Sequence, residues 1–377
     1  MQHGIEKHLT LPTRAVAART FRGYACEKLD ALCAAARFDV WGRARARAEL
    51  TAVLLPWGEE QIGERPRQPS ALSDDHFPLE FSMTFTGGEP EVRVLFEPQA
   101  TRASQTRWQA AAELQPRLAA SPGVDLTRLA AIQDLFEPTA MAGWSAWFSL
   151  RFSSHRPTKY KIYLNPEAQG VDHSVARVSE ALRRLGFSEY ADELRSALLP
   201  NEELKFFSLD LDDGPRARVK VYAIQRGATR ESIGRVLRSA AGFSQAGFDT
   251  FWEAIPQADG PFVGWPVSTY LSLVSGDVRP SASTVHFPTR AYTASDLATH
   301  QRVCQLLTGA DLVAYQRAIT AFAERPLAAG TGMHAYVSFG QERGASRITV
   351  YLACEAYGDE QAASLVRVGS QKAGLQP

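Results

Sequence analysis

The chain has 377 residues, 45% apolar and 22% charged, with Lys+Arg and Asp+Glu balanced at 41 each. That profile describes a soluble globular chain able to bury a large core, and its neutrality gives no electrostatic case for nucleic acid or an anionic membrane surface. No apolar run reaches the roughly 20 residues needed to span a bilayer, and Met1–Thr20 lacks the apolar segment of a secretory leader. The four cysteines, Cys26, Cys33, Cys304 and Cys354, form no CxxC pair; Cys26 and Cys33, seven apart in a helical stretch, are expected as buried thiols, and a reducing cytoplasm is the expected compartment.

Helical spacing opens the chain, around Tyr24–Leu50, and the first strand pair follows: Leu79–Thr86 with Val92–Glu97 across Gly87-Gly88-Glu89-Pro90. A helix near Trp108–Leu118 leads to the second pair, Trp144–Ser153 with Lys159–Leu164, turned at His155, Arg156 and Pro157. Val175, Val178, Leu182 and Leu185 mark a helix broken at Gly186, and Tyr190, Leu194 and Leu198 mark another that stops before Pro200. Leu204–Leu211 then pairs with Ala217–Ile224 across Asp212-Asp213-Gly214-Pro215. Ile233, Val236 and Leu237, a break at Gly242, then Phe248, Phe251 and Trp252 precede the pair Val267–Val274 and Ser283–Pro288. Leu297, Val303 and Leu307, a break at Gly309, then Leu312, Tyr315, Ile319 and Phe322 precede Met333–Gly340 with Arg347–Ala353. Gly, Pro and Asp punctuate these turns as hairpin chemistry requires. The unit is helix–helix–strand–strand, repeating about every 60–70 residues, which is an internal repeat.

Alternate side chains of a strand point to opposite faces. In Arg218-Val219-Lys220-Val221-Tyr222 two cations and a phenol share one face and the valines share the other. The pattern returns at Lys159, Lys161 and Tyr163, and more weakly at Arg347 and Tyr351. Cations on a protected face are costly unless an anion sits among them, so a phosphate-rich ligand is expected. The opposite positions, Val92, Val94, Val219, Val221, Ile348 and Val350, are apolar, as if covered by helices. Consecutive antiparallel pairs leave two open edges unless the sheet closes. The expectation is an α+β fold in one domain over 1–377: a ten-stranded antiparallel barrel with a polar lumen, ringed by helices.

The chain resembles the dimethylallyltryptophan synthase family of aromatic prenyltransferases, in particular its bacterial branch. The likeness rests on P-L-E-F-S around Glu80, E-V-R-V-L-F-E-P around Arg93, K-I-Y at Lys161–Tyr163 and R-V-K-V-Y at Arg218–Tyr222. H-F-P at His286–Pro288 and the pair of strands carrying Tyr336 and Tyr351 complete it, and their order from about Leu72 to Glu355 makes the match specific. The resemblance implies a barrel of repeated α-α-β-β units and transfer of a prenyl group from dimethylallyl diphosphate to the indole ring of L-tryptophan. It also implies roles. Arg93, Lys161, Arg218 and Lys220 supply charge to the diphosphate. Tyr163, Tyr222, Tyr336 and Tyr351 supply hydroxyls and shield the allyl cation, and Glu80 accepts the indole N–H. Against these stand blander readings: cations paired to carboxylates inside the barrel, and Glu80 as the partner of Arg93 on the next strand.

Two positions depart from fungal relatives. A Q-x-Y contact to the diphosphate reads Thr284 and His286 here, so His286 stands in for the phenol. The strand Trp144–Ser153 has no lysine to remove the ring proton. Lys205 falls where an arginine often holds the acceptor carboxylate, with the backbone near Leu72 beside it. Asp74-Asp75-His76-Phe77-Pro78 lacks the last aspartate of a DDxxD magnesium site, and no paired His/Cys spacing suggests zinc. No cofactor is expected, and magnesium should not be required. The other readings are a peptide or alkaloid acceptor, a longer prenyl donor, a phenol acceptor, or a non-catalytic barrel binding an anionic small molecule.

Overall fold

The computed structural model describes residues 16–139, 143–342 and 344–357. Most of the N-terminal stretch Met1–Thr20 lies outside the described residues. Ten strands form one closed antiparallel barrel: β1 Leu79–Phe85, β2 Glu91–Phe96, β3 Ala146–Phe152, β4 Lys159–Leu164, β5 Glu202–Asp210, β6 Val219–Gln225, β7 Val267–Leu273, β8 Ala282–Phe287, β9 His334–Glu342 and β10 Ala345–Ala353. Each strand pairs with its neighbours in the chain, and β1 closes on β10 with Glu80 opposite Ala353 and Ser82 opposite Tyr351. Closure answers the edge problem that consecutive hairpins create.

The long helices among the described residues are α1 Phe21–Ala35, α2 Val40–Leu54, α3 Arg107–Ala119, α4 Ser174–Arg184, α5 Ser188–Ala197, α6 Arg230–Arg238, α7 Gln245–Ala254, α8 Asp296–Leu306 and α9 Gly309–Phe322. Their starts are set by side-chain caps. Thr20, Asp39, Thr106, Thr229, Ser244 and Ser295 each accept a backbone N–H of the first turn, and Thr106 with Gln109 forms a reciprocal capping box. The break after α4 is made by Gly186, whose φ of 82° ends the helix while the Phe187 N–H donates to the Leu182 carbonyl at 2.8 Å. Four times the chain runs helix, helix, strand, strand, which is the repeat expected from the sequence. Before β3 the second helix of the unit shrinks to the short turns Thr127–Ala130 and Gln133–Phe136.

The core is the layer between barrel and helices. Outward residues of the strands meet helix rings: Phe81 against Phe322 at 5.7 Å, Phe85 against Tyr315 at 6.2 Å, and Phe251 against Phe339 at 5.5 Å between centroids. The outward set Val92, Val94, Val219 and Val350 is buried in this layer, and Cys26 and Cys33 are buried on α1. The layer also holds one polar knot. Tyr315 Oη lies 2.9 Å from His334 Nε2, and His334 Nδ1 lies 3.0 Å from Asp296 Oδ1, a carboxylate also held by Arg325. A buried imidazole between a phenol and a carboxylate is fully satisfied. No helix among the described residues is long and apolar enough to cross a membrane.

Candidate active site

The inner face of the barrel carries what the outer face excludes. By strand register, Tyr222 stands opposite Tyr270 and Phe206, Tyr351 opposite Tyr336, Lys220 opposite Ser208 and Ser272, and Arg93 opposite Ser82 and Arg151. Rings form a continuous belt. Tyr163 and Tyr222 are 5.9 Å apart, Tyr222 and Tyr270 4.7 Å, Tyr270 and His286 5.3 Å, His286 and Tyr351 5.3 Å, and Tyr336 and Tyr351 6.3 Å. The structure therefore brings together Arg93, Lys161, Tyr163, Lys220, Tyr222, His286, Tyr336 and Tyr351 around one lumen.

The lumen cations divide into two sets. Towards the hairpin turns, Lys161 Nζ lies 3.1 Å from Asp210, and Arg218 lies 2.8 Å from Asp210 and 3.3 Å from Glu342. Arg151 reaches Glu91 at 3.5 Å, Arg347 reaches Glu342 at 3.7 Å, and exposed Lys159 reaches Asp212 at 3.4 Å. For these the bland reading holds, and Lys159 is a rim residue although it shares the face of Lys161. Between its two cations, Asp210 is held well below the usual carboxylate range, against the opposing effect of burial.

Arg93 and Lys220 behave differently. Neither side chain has a hydrogen bond or salt bridge to any described residue. Lys220 is 5% exposed, and its ammonium sits 3.9 Å above the Tyr270 ring. Burial, with Arg218 and Arg347 nearby, pushes Lys220 well below the ordinary lysine range, and burial lowers Lys161 likewise. Burial with Lys220, Arg93 and Arg347 depresses His286 to about 3, so its imidazole is neutral. His286 Nε2 and Ser272 Oγ are buried without a hydrogen-bond partner. Unpaired donors and cations turned towards one space are costly in an empty protein and favourable around a polyanion. Burial raises the Tyr270 phenol, but Arg347, the Thr284 hydroxyl, Lys161 and Arg93 outweigh it and leave Tyr270 below its usual value. Arg347 donates to Tyr270 Oη at 2.8 Å.

Glu80 is 7% exposed and its side chain has no hydrogen bond or salt bridge among the described residues. The pairing with Arg93 considered from sequence is not formed, because register sets Ser82 opposite Arg93 and Leu95 opposite Glu80. Burial lifts the Glu80 carboxyl to about 8, while Arg290 and Arg93 pull it down and Asp74 pushes it up. A buried carboxylate with open acceptor sites is suited to receive an N–H.

A family model described as tryptophan dimethylallyltransferase matches residues 56–320. The chain belongs to this family. It is 32% identical to the 6-dimethylallyltryptophan synthase of Micromonospora olivasterospora, solved in complex with DMASPP and Trp, over 90% of this chain and 98% of that one, with a TM-score of 0.81. It is 30% identical to the 5-dimethylallyltryptophan synthase of Streptomyces coelicolor, likewise solved with DMASPP and Trp, over 90% and 96% of the two chains, with a TM-score of 0.82. A further 6-dimethylallyltryptophan synthase structure is 34% identical over 91% and 98%, with a TM-score of 0.82. Bacterial members and the closed barrel of the dimethylallyltryptophan synthase fold are thus the right relatives.

The acceptor-end candidates are engaged elsewhere in this structure. Lys205 is ion-paired with Glu167 at 2.6 Å and Glu203 at 3.6 Å. A bulge between Leu204 and Phe206 displaces Lys205 from the regular alternation. The Leu72 N–H donates to Ser70 Oγ at 3.2 Å, and its side chain is buried. Beside them Trp144, Trp147 and Phe206 form an aromatic cluster with centroids 4.4–5.3 Å apart. Residues the sequence reading did not place in the site are Arg290, Asp74 and Asp210. Asp210 alternates with Ser208 on the inner face of β5 and was open to the same face argument. Arg290 lies in a four-residue helical turn, Thr289–Tyr292, where no periodicity points inward. No cluster of His, Cys, Asp and Glu suited to a metal ion occurs among the described residues.

Proposed function

We propose that the chain transfers a dimethylallyl group from dimethylallyl diphosphate to the indole ring of L-tryptophan by electrophilic aromatic substitution without a metal ion. The observation that carries the reading is the pair of unpartnered lumen cations, Arg93 and Lys220, enclosed by phenols in the same lumen as an unpartnered carboxylate, Glu80. The allylic C–O bond breaks with its electron pair going to the diphosphate oxygen, and preorganised charge at that oxygen lowers the barrier. Arg93 and Lys220 meet that charge directly. Lys161 and Arg218, shared with Asp210, form the floor beneath it, and Tyr163, Tyr222, Tyr336, Tyr351 and His286 donate hydrogen bonds around it. The phenol rings face the allyl cation and keep water from it. Indole π electrons form the new C–C bond, Glu80 accepts a hydrogen bond from the ring N–H and stabilises the resulting cation, and the proton on the alkylated carbon passes to the released diphosphate, which restores aromaticity. Lys205 and the Leu72 backbone hold the amino-acid end of the acceptor once Lys205 releases Glu167.

The test is incubation of the full chain with dimethylallyl diphosphate and L-tryptophan in EDTA, followed by mass spectrometry. A gain of one C5 unit supports the reading, and strict dependence on added magnesium overturns its metal-free part. Donor binding without turnover of any indole would make the chain a binding protein instead.

A further inference from the structure

At the barrel mouth one phenol is held in an unusual way. Tyr336 Oη accepts two hydrogen bonds, from Trp265 Nε1 at 3.1 Å and from Arg290 Nη2 at 3.2 Å. A phenol oxygen has one proton to give and about two lone-pair directions to receive. With both directions filled, the Tyr336 proton is the group's remaining capacity, and no described residue accepts it. The Tyr336 ring lies in the lumen belt, 6.3 Å from Tyr351 and 6.5 Å from His286.

Arg290 is itself fixed from every side. Its guanidinium lies 4.7 Å from the Trp265 ring centroid and 4.5 Å from that of Tyr336, a cation between two π faces. It donates to the Ala335 carbonyl at 3.1 Å and is ion-paired with Asp74. Trp265 is 42% exposed but anchored, because Tyr292 Oη donates to its carbonyl at 2.6 Å. The neighbouring Gly264 allows that approach: a Cβ there would sit 3.3 Å from Tyr292 Oη.

We propose that Arg290 is a positioning residue which, with Trp265, saturates the Tyr336 oxygen and so aims the Tyr336 hydroxyl hydrogen at the diphosphate of the prenyl donor. A cationic donor to the phenol oxygen also polarises its O–H, which strengthens the bond it makes to an oxyanion. Arg290 thereby serves the donor without touching it. Its charge is felt at the acceptor carboxylate too, since it opposes the upward pull of burial on Glu80. The proposal rests on the reading of Tyr336 as a diphosphate contact.

The test is calorimetric binding of DMASPP to the folded full chain and to Y336F, R290M, R290K, W265F and the R290M/Y336F pair. Y336F and R290M should each weaken binding about tenfold, at the lower end of a charge-assisted hydrogen bond. The double variant should match Y336F alone, R290K should recover part of the loss, and W265F should lose about two- to threefold, in keeping with a neutral donor. If R290M costs as much in the Y336F background as in the wild type, or costs nothing while Y336F does, the positioning role is wrong. If Y336F binds normally, the assignment of Tyr336 to the diphosphate fails and takes this proposal with it, while the other donor contacts stand. Should R290M fail to fold, the cycle of W265F with Y336F asks the same question: a W265F loss that persists without the phenol overturns the proposal.

Discussion

The hairpin end of the lumen and its centre use the same side chains under opposite electrostatic conditions. At the hairpin end Lys161 and Arg218 converge on Asp210, and Glu342 receives Arg218 and Arg347, so every cation brings its counterion with it. In the centre Arg93 and Lys220 have no such partner, and His286 Nε2 and Ser272 Oγ lack hydrogen bonds. The difference separates structure from binding. A paired charge closes the floor of the barrel whether or not a ligand is present. In the proposed function an unpaired one is tolerated in the empty protein because the diphosphate later completes it.

Breaking the paired end should do the greatest damage to the fold. Asp210→Asn leaves Lys161 and Arg218 enclosed without their shared carboxylate, and loss of one partner of a buried pair costs about 3–5 kcal/mol. Urea unfolding of the variant reads this loss; an unchanged midpoint would mean that the floor is not held by these pairs. Glu80→Ala should leave the fold intact and lower kcat by roughly a hundredfold, the usual cost of removing one preorganised transition-state contact, with DMASPP affinity retained. Near-normal turnover would make Glu80 structural.

Lys220→Met sharpens the contrast. Replacing an unpaired buried ammonium with an apolar chain of similar length should leave the empty protein as stable or more so, yet weaken DMASPP binding by about tenfold or more. A variant that loses stability but binds normally would reverse the assignment. The smallest effect is one of pH. In the proposed mechanism the ionised form of Glu80 accepts the N–H, and burial places its carboxyl at about 8. The ionised fraction therefore grows as pH rises, so kcat/KM for L-tryptophan should climb through a limb near that value. The limb should vanish in Glu80→Gln, and a flat profile in the wild type would show that Glu80 is already ionised well below it.

Much of this arrangement is readable in the sequence because strand alternation is a local rule. Arg93, Lys220, Tyr222 and Tyr351 reveal their face through their immediate neighbours, and the glycines and prolines of the turns mark where each strand ends. What is not readable depends on distant register. Arg218 pairs with Asp210 inside its own hairpin, but its second partner, Glu342, reaches it from β9 only after the strands have taken their order. The bulge at Leu204–Phe206 shifts Lys205 by an amount that spacing cannot predict. Arg290 follows β8 in a single helical turn, and its partners Asp74 and Trp265 come from loops that meet only over the finished mouth.

The closure of the barrel has one more consequence. Every strand contact but one joins chain neighbours; the exception is β1 with β10, which sets Glu80 opposite Ala353 and Ser82 opposite Tyr351. The carboxylate proposed to receive the indole is thus synthesised early and the phenol beside it nearly last. A chain interrupted anywhere before its tenth strand keeps two raw edges, an open wall and no chamber that excludes water. The molecule acquires the means to release a carbocation only in the same event that seals the vessel around it.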